Sequence, residues 1–114
     1  MIKRHICIAL LFAGLTAPAT AQQFRTGNDL WPQCIGDRAA VNRYAAGAFD
    51  AIIFAQTNLG EGQKSRLCVP NGIVVTQVSD MLCNHLRDTP EERHYSAAAT
   101  LWVVMRDEWE CPAE

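Results

Sequence analysis

The sequence predicts a small all-α domain, a compact bundle of three to four helices stapled by two disulfides, and three observations carry that prediction. Apolar residues recur at helical spacing in three separate runs. Four cysteines remain once an export segment at the N-terminus is set aside. The one β-branched run, Ile73-Val74-Val75, is too short for a strand.

The export segment comes first in the chain. Lys3, Arg4 and His5 form a basic start, Ile6 to Leu15 an apolar run too short to span a bilayer, and Ala19-Thr20-Ala21 an A-x-A cleavage site. Residues 1–21 are therefore expected to be a signal peptide that is removed, leaving 22–114 as one exported domain. Cys7 lies inside the apolar run without the small residues that precede a lipidated cysteine, so it is expected to leave with the peptide. Cleavage also removes Lys3 and Arg4. The charge balance of 10 basic against 12 acidic residues (−2) becomes 8 against 12 (−4). Neither a nucleic-acid-binding basic patch nor a second long apolar segment is present, so no nucleic acid and no membrane is expected as a partner.

Cys34, Cys68, Cys83 and Cys111 make an even number in an exported chain, which reads as two disulfides of roughly 2 to 4 kcal/mol each. A zinc site would need paired cysteines, and the gaps of 33, 14 and 27 residues contain no CxxC. Three connectivities remain open. The favoured one joins Cys68 to Cys111, tying the approach to one helix to the end of the next, and Cys34 to Cys83, fastening the N-terminal region onto the middle of that hairpin.

In chain order, Gln22 to Asn28 is polar, carries Gly27, and is expected to be loose. Asn28 or Asp29 is expected to cap a short turn through Leu30 and Trp31 ahead of Pro32 and Cys34. Asp37 then caps a helix over Arg38 to Thr57, with a stripe of Val41, Tyr44, Ala45, Ala48, Ile52 and Ala55 flanked by Phe49 and Ile53. Gly47, in its middle, is expected to admit a close neighbour, and Gly60 to end it in the left-handed conformation. A polar loop, Gly60 to Arg66, leads to Cys68-Val69-Pro70 and a turn at Asn71-Gly72. Thr76 is expected to cap a helix reaching Asp88, with Val78, Met81, Leu82, His85 and Leu86 on one face. Thr89-Pro90-Glu91-Glu92 has the form of a capping box with proline at the first helical position, and the helix it starts either runs unbroken through Tyr95 or restarts at Ser96. The last helix is expected to carry Leu101, Val104, Met105 and Trp109, with Ala97, Ala98 and Trp102 beside them, and to stop at Pro112.

The chemistry-bearing residues do not assemble into a recognisable catalytic pattern. There is no H-E-x-x-H, no G-x-S-x-G and no phosphate loop. His85 sits on an apolar face and reads as a hydrogen-bonded core or boundary residue, and His94 lies in a charged surface stretch. Asp107, Glu108 and Glu110 are too close in sequence to face one another on a helix. Trp31, Trp102 and Trp109 read as core. No catalytic residue, cofactor or metal is expected, and the protein is expected not to be an enzyme.

The order and spacing of several features carry a resemblance over roughly Asn28 to Pro112. They are Tyr44 and Gly47 three apart in the first long helix, Cys68-Val69-Pro70, Thr89-Pro90-Glu91 after a short helix, Ser96-Ala97-Ala98, and an aromatic before Cys111-Pro112. Together they resemble the type VI secretion amidase-immunity (Tai) family. Two positions depart from that family's pattern. Val41 stands where relatives often carry a cysteine, for which a Cys34–Cys83 pair is a natural replacement, and Trp109-Glu110-Cys111 replaces an aromatic-Pro-Cys ending. The resemblance implies a periplasmic helical immunity protein, often a homodimer, that binds a peptidoglycan amidase delivered by neighbouring bacteria and occludes its cleft. Glu61, Gln63, Lys64 and Arg66, in the polar loop tethered at Cys68, are the candidate partner contacts. The alternative function is a small periplasmic stress or acid-protection chaperone, which shares export, helices and disulfides.

Overall fold

A computed structural model describes residues 24–59 and 67–113; the expected signal peptide, Gly60 and the loop through Arg66 lie outside these. Four α-helices are present: α1 (Gly27–Cys34), α2 (Arg38–Asn58), α3 (Val75–Asp88) and α4 (Ala97–Trp109). A 3-10 turn at Pro90–Glu92 separates α3 from α4, and no strand occurs among the described residues. The all-α bundle is as expected.

Thr26, rather than Asn28 or Asp29, caps α1. Its backbone N–H donates to Asp29 Oδ2 at 2.8 Å, while its own hydroxyl oxygen accepts the Asp29 N–H at 3.4 Å. Asp29 thus acts as the third helical residue of a capping box. Pro32 lies inside the helix rather than after it, removing the bond its N–H would have made to the Asn28 carbonyl. The preceding segment is tied down, contrary to the expectation of looseness. Gly27 N–H donates to the Tyr95 carbonyl at 3.1 Å, Asn28 N–H to that of Arg93 at 2.7 Å, and the Arg25 carbonyl accepts from Ala97 N–H at 2.8 Å. Gly27 itself is buried.

Helix α2 starts as its sequence dictates, with Asp37 Oδ1 accepting from Ala39 N–H at 3.1 Å. Only Val41 and Ala45 of its apolar stripe are fully enclosed. Tyr44, Ala48, Phe49, Ile52 and Ile53 cover the core from its edge, Phe49 standing edge-on to Trp109 with ring centroids 6.4 Å apart. A β-carbon on Gly47 would meet no other element within 4 Å, so this glycine does not serve a close approach as expected.

Gly72, at φ +85°, makes the turn before α3, a conformation that only glycine adopts without strain. The helix begins at Val75, earlier than a Thr76 cap would place it, because Gln77 Oε1 reaches back to accept the Val74 N–H at 3.0 Å. Val78, Leu82 and Leu86 then form the spine of the core, with Leu30, Leu101 and Met105 completing it. Each fully buried leucine contributes about 2 kcal/mol. Ser79, fully buried, directs its hydroxyl at Asn42 Oδ1 (2.5 Å) and the Thr76 carbonyl (3.1 Å), so the most extensive helix pair, α2 on α3, carries a polar link through its centre.

Thr89 does not cap a following helix. Its N–H and its hydroxyl both donate to the His85 carbonyl, at 2.9 and 2.7 Å, closing α3 instead. Helix α4 restarts at Ser96, whose Oγ accepts from Ala99 N–H at 3.4 Å. Its enclosed face is Ala97, Thr100, Leu101, Met105 and Trp109, rotated from the expected stripe so that Val104 is partly open and Ala98 exposed.

The cysteines join Cys34 to Cys83 (Cα–Cα 5.5 Å) and Cys68 to Cys111 (Cα–Cα 4.9 Å). The first pins α1 to the middle of α3 within the core. The second, with Cys68 N–H donating to the Trp109 carbonyl at 2.7 Å and a backbone bridge between Leu67 and Glu110, holds the approach to α3 on the end of α4. Two disulfides place the folded chain in an oxidising compartment. No helix among the described residues is long and apolar enough to cross a membrane.

Candidate functional site

Where α3 ends, the 3-10 turn and the first turns of α4 diverge and leave a cavity of about 470 Å³ between them. Its position follows from local chemistry already described. Thr89 stops α3, Pro90 prevents its continuation, and Ser96 restarts the chain as α4 in a new direction.

Two kinds of group line it. Ala99 and Val103, one helical turn apart on α4, form an apolar wall with the ring of Tyr95, and Thr100 lies beside them. His85 and Glu92 form the polar end, with His85 Nε2 3.1 Å from Glu92 Oε2 and both side chains partly open to solvent. His85 is therefore the hydrogen-bonded boundary histidine that its apolar face implied. Beside it, Arg87 and Asp88 pair with each other at 2.9 Å. That hydrogen bond holds the Asp88 carboxyl below the usual carboxylate range and raises Arg87.

A second, smaller cavity of about 190 Å³ lies between α2 and the start of α3, walled by Phe49, Ile73, Val74 and Val75 with Asp50 at its edge. Val74 is 54% exposed.

The candidate contacts Glu61, Gln63, Lys64 and Arg66 lie outside the described residues. What the structure gives is their downstream anchor, Leu67 and Cys68, clamped to Glu110, Trp109 and Cys111. Sequence reading missed Tyr95, Ala99, Thr100 and Val103. The only available signal was the Thr89-Pro90 break, which marks a change of direction but not a hollow beside it.

Among the described residues, all four cysteines are in disulfides, and no cluster of three or more potential metal ligands occurs. His94 is on the surface, its Nδ1 2.9 Å from the Glu91 carbonyl and its ring 4.1 Å from that of Tyr95. Of the tryptophans, Trp109 is buried, while Trp31 and Trp102 are partly exposed. Trp31 carries the Arg93 guanidinium 4.1 Å above its ring.

Comparison with known proteins gives one match. The model of the family described as Rap1a immunity proteins fits residues 26–111, from the cap of α1 to the last cysteine. No curated protein and no solved structure matches the chain.

Proposed function

The chain belongs to the Rap1a immunity protein family, and on that premise we propose that it is a periplasmic immunity protein that binds and occludes a peptidoglycan amidase delivered by type VI secretion. The observation that carries the immunity role is the family match across the whole of the disulfide-tied scaffold. The amidase as target rests on the resemblance of Tyr44 and Gly47, Cys68-Val69-Pro70 and Ser96-Ala97-Ala98 to amidase-immunity proteins.

The physics of such inhibition is occlusion by a surface that loses little freedom on binding. Ordering flexible side chains and loops at an interface subtracts from affinity, so a scaffold already held by two covalent links and a buried core retains more of its gross contact energy. Contact through the loop ending at Arg66, through the α3–α4 cavity, or through both is consistent with that role, since the chain just after the loop is clamped at Cys68 and the cavity is walled by packed helices. Association into a homodimer belongs to the same proposal, and sedimentation of the oxidised protein checks it.

The test is capture of a purified cell-wall amidase by the oxidised, exported protein, followed by a wall-hydrolysis assay with and without it. Stoichiometric capture with loss of hydrolysis is the expected result. Absence of capture, with binding of unfolded clients appearing only on acidification, would replace this reading with the periplasmic chaperone alternative.

A further inference from the structure

The cavity between α3 and α4 has a carboxylate on its wall and no lysine or arginine. We propose that it is a slot for a lysine or arginine side chain of the partner protein, with the aliphatic stem lying on Ala99, Val103 and the Tyr95 ring and the cationic head on Glu92. The partner being the effector rests on the immunity reading; the chemistry of the slot does not.

Three observations point to a cation. Glu92 uses one carboxylate oxygen for His85, and the other has no partner among the described residues. The nearby basic side chains are engaged elsewhere: Arg93 Nε donates to the Leu86 carbonyl at 2.6 Å with its guanidinium over Trp31, and Arg87 is paired with Asp88. Finally, the chain is acidic overall, at −2, which favours encounter with a basic surface.

The walls explain why the guest is a long basic side chain rather than a bare ion. Apolar wall and single carboxylate match the two halves of lysine and arginine, whose methylene stems bury on apolar surface while the charge stays at the tip. An arginine also gains two parallel bonds to a carboxylate. An anionic guest would meet Glu92 with no lysine or arginine on the lining to offset it.

The experiment is an NMR titration of the full exported protein with N-acetyl-lysine methylamide, N-acetyl-arginine methylamide and, as the uncharged control, N-acetyl-norleucine methylamide. The amides of Ala99, Thr100 and Val103 are expected to shift with the two basic probes, and roughly tenfold more weakly with norleucine, the ratio that about 1.4 kcal/mol of charge recognition gives. Glu92→Gln, which keeps an acceptor for His85 and therefore the local fold, is expected to abolish that preference. Ala99→Phe, which fills the slot, is expected to abolish all three responses. Equal response to norleucine, no response at these amides, or an unchanged preference in Glu92→Gln would overturn the slot. Effector binding is then measured separately. Tight binding by the wild-type protein with at least tenfold loss in both variants supports use of the slot, and equal binding by wild type and variants refutes that use while leaving the immunity reading intact. Failure of the wild type to bind any amidase sinks the amidase reading alone, because the probe titration stands apart from it.

Discussion

Gly27 and Arg93 are in backbone contact: a β-carbon on Gly27 would lie 2.9 Å from both the Cα and the carbonyl oxygen of Arg93, and 2.7 Å from Leu86 Cδ2. Real β-carbons do not approach backbone this closely, so the first turn of α1 sits where it does because residue 27 has no side chain. Gly27→Ala therefore opposes two effects. Helix propensity alone would stabilise by up to about 1 kcal/mol, whereas overpacking against backbone destabilises by about 1 to 3 kcal/mol. The contact is expected to win, and urea denaturation should show a net loss of stability.

Arg93 holds the same junction from the other side. Its carbonyl accepts from Asn28 N–H, its Nε donates to the Leu86 carbonyl, and its guanidinium covers Trp31. Arg93→Lys preserves the charge but not the planar stacking group or the directed Nε bond, so it should recover little of what Arg93→Ala loses, about 1 to 2 kcal/mol. Thermal unfolding of the two variants, with the Trp31 fluorescence of each, checks this.

The two disulfides close loops of similar length, with sequence separations of 49 and 43, so chain entropy assigns each about 4 kcal/mol. Their surroundings differ. Cys34 and Cys83 are 8% and 5% exposed in the core, whereas Cys68 is on the surface. Replacing Cys34 and Cys83 together by alanine should lower stability more than replacing Cys68 and Cys111, since it also removes packed volume. In mild reductant, alkylation and mass spectrometry should find Cys68 and Cys111 modified first.

Acid should loosen the chain at two identifiable carboxylates. The Thr26 backbone N–H, then its hydroxyl, holds the Asp29 carboxyl below its ordinary value, and the Arg87 side chain does the same for Asp88. Because each folded pKa lies below the unfolded one, the stabilisation is complete above the ordinary aspartate value and is lost as pH falls through the depressed one. Thermal midpoints of the wild type should therefore decline from just above the ordinary aspartate range downward. Asp29→Asn should start lower and decline less steeply over that window, with the difference concentrated in the hydrogen exchange of α1.

The existence, order and approximate limits of α2, α3 and α4 were legible because apolar periodicity and capping are local properties of the chain. Asp37 caps α2 and the spine of Val78, Leu82 and Leu86 is buried as their spacing dictates. The readings that failed turned either on a partner distant in sequence or on a choice between competing local hydrogen bonds. Gly27 looked like a mark of looseness until its contact with Arg93 was seen, and Thr89 looked like a cap for the next helix although its hydroxyl turns back to His85.

By itself the sequence determined a helical, disulfide-bearing domain with immunity-protein character, because helical stripes, cysteine parity and motif order are written along one dimension. Only the tertiary structure decided that His85 and Glu92 share a cavity with Ala99 and Val103, and that α1 is locked rather than loose. A hollow is a property of the angle at which α4 leaves the Thr89-Pro90 break. That angle is set by contacts from Arg25, Gly27 and Trp31, which are more than 50 residues away in the chain.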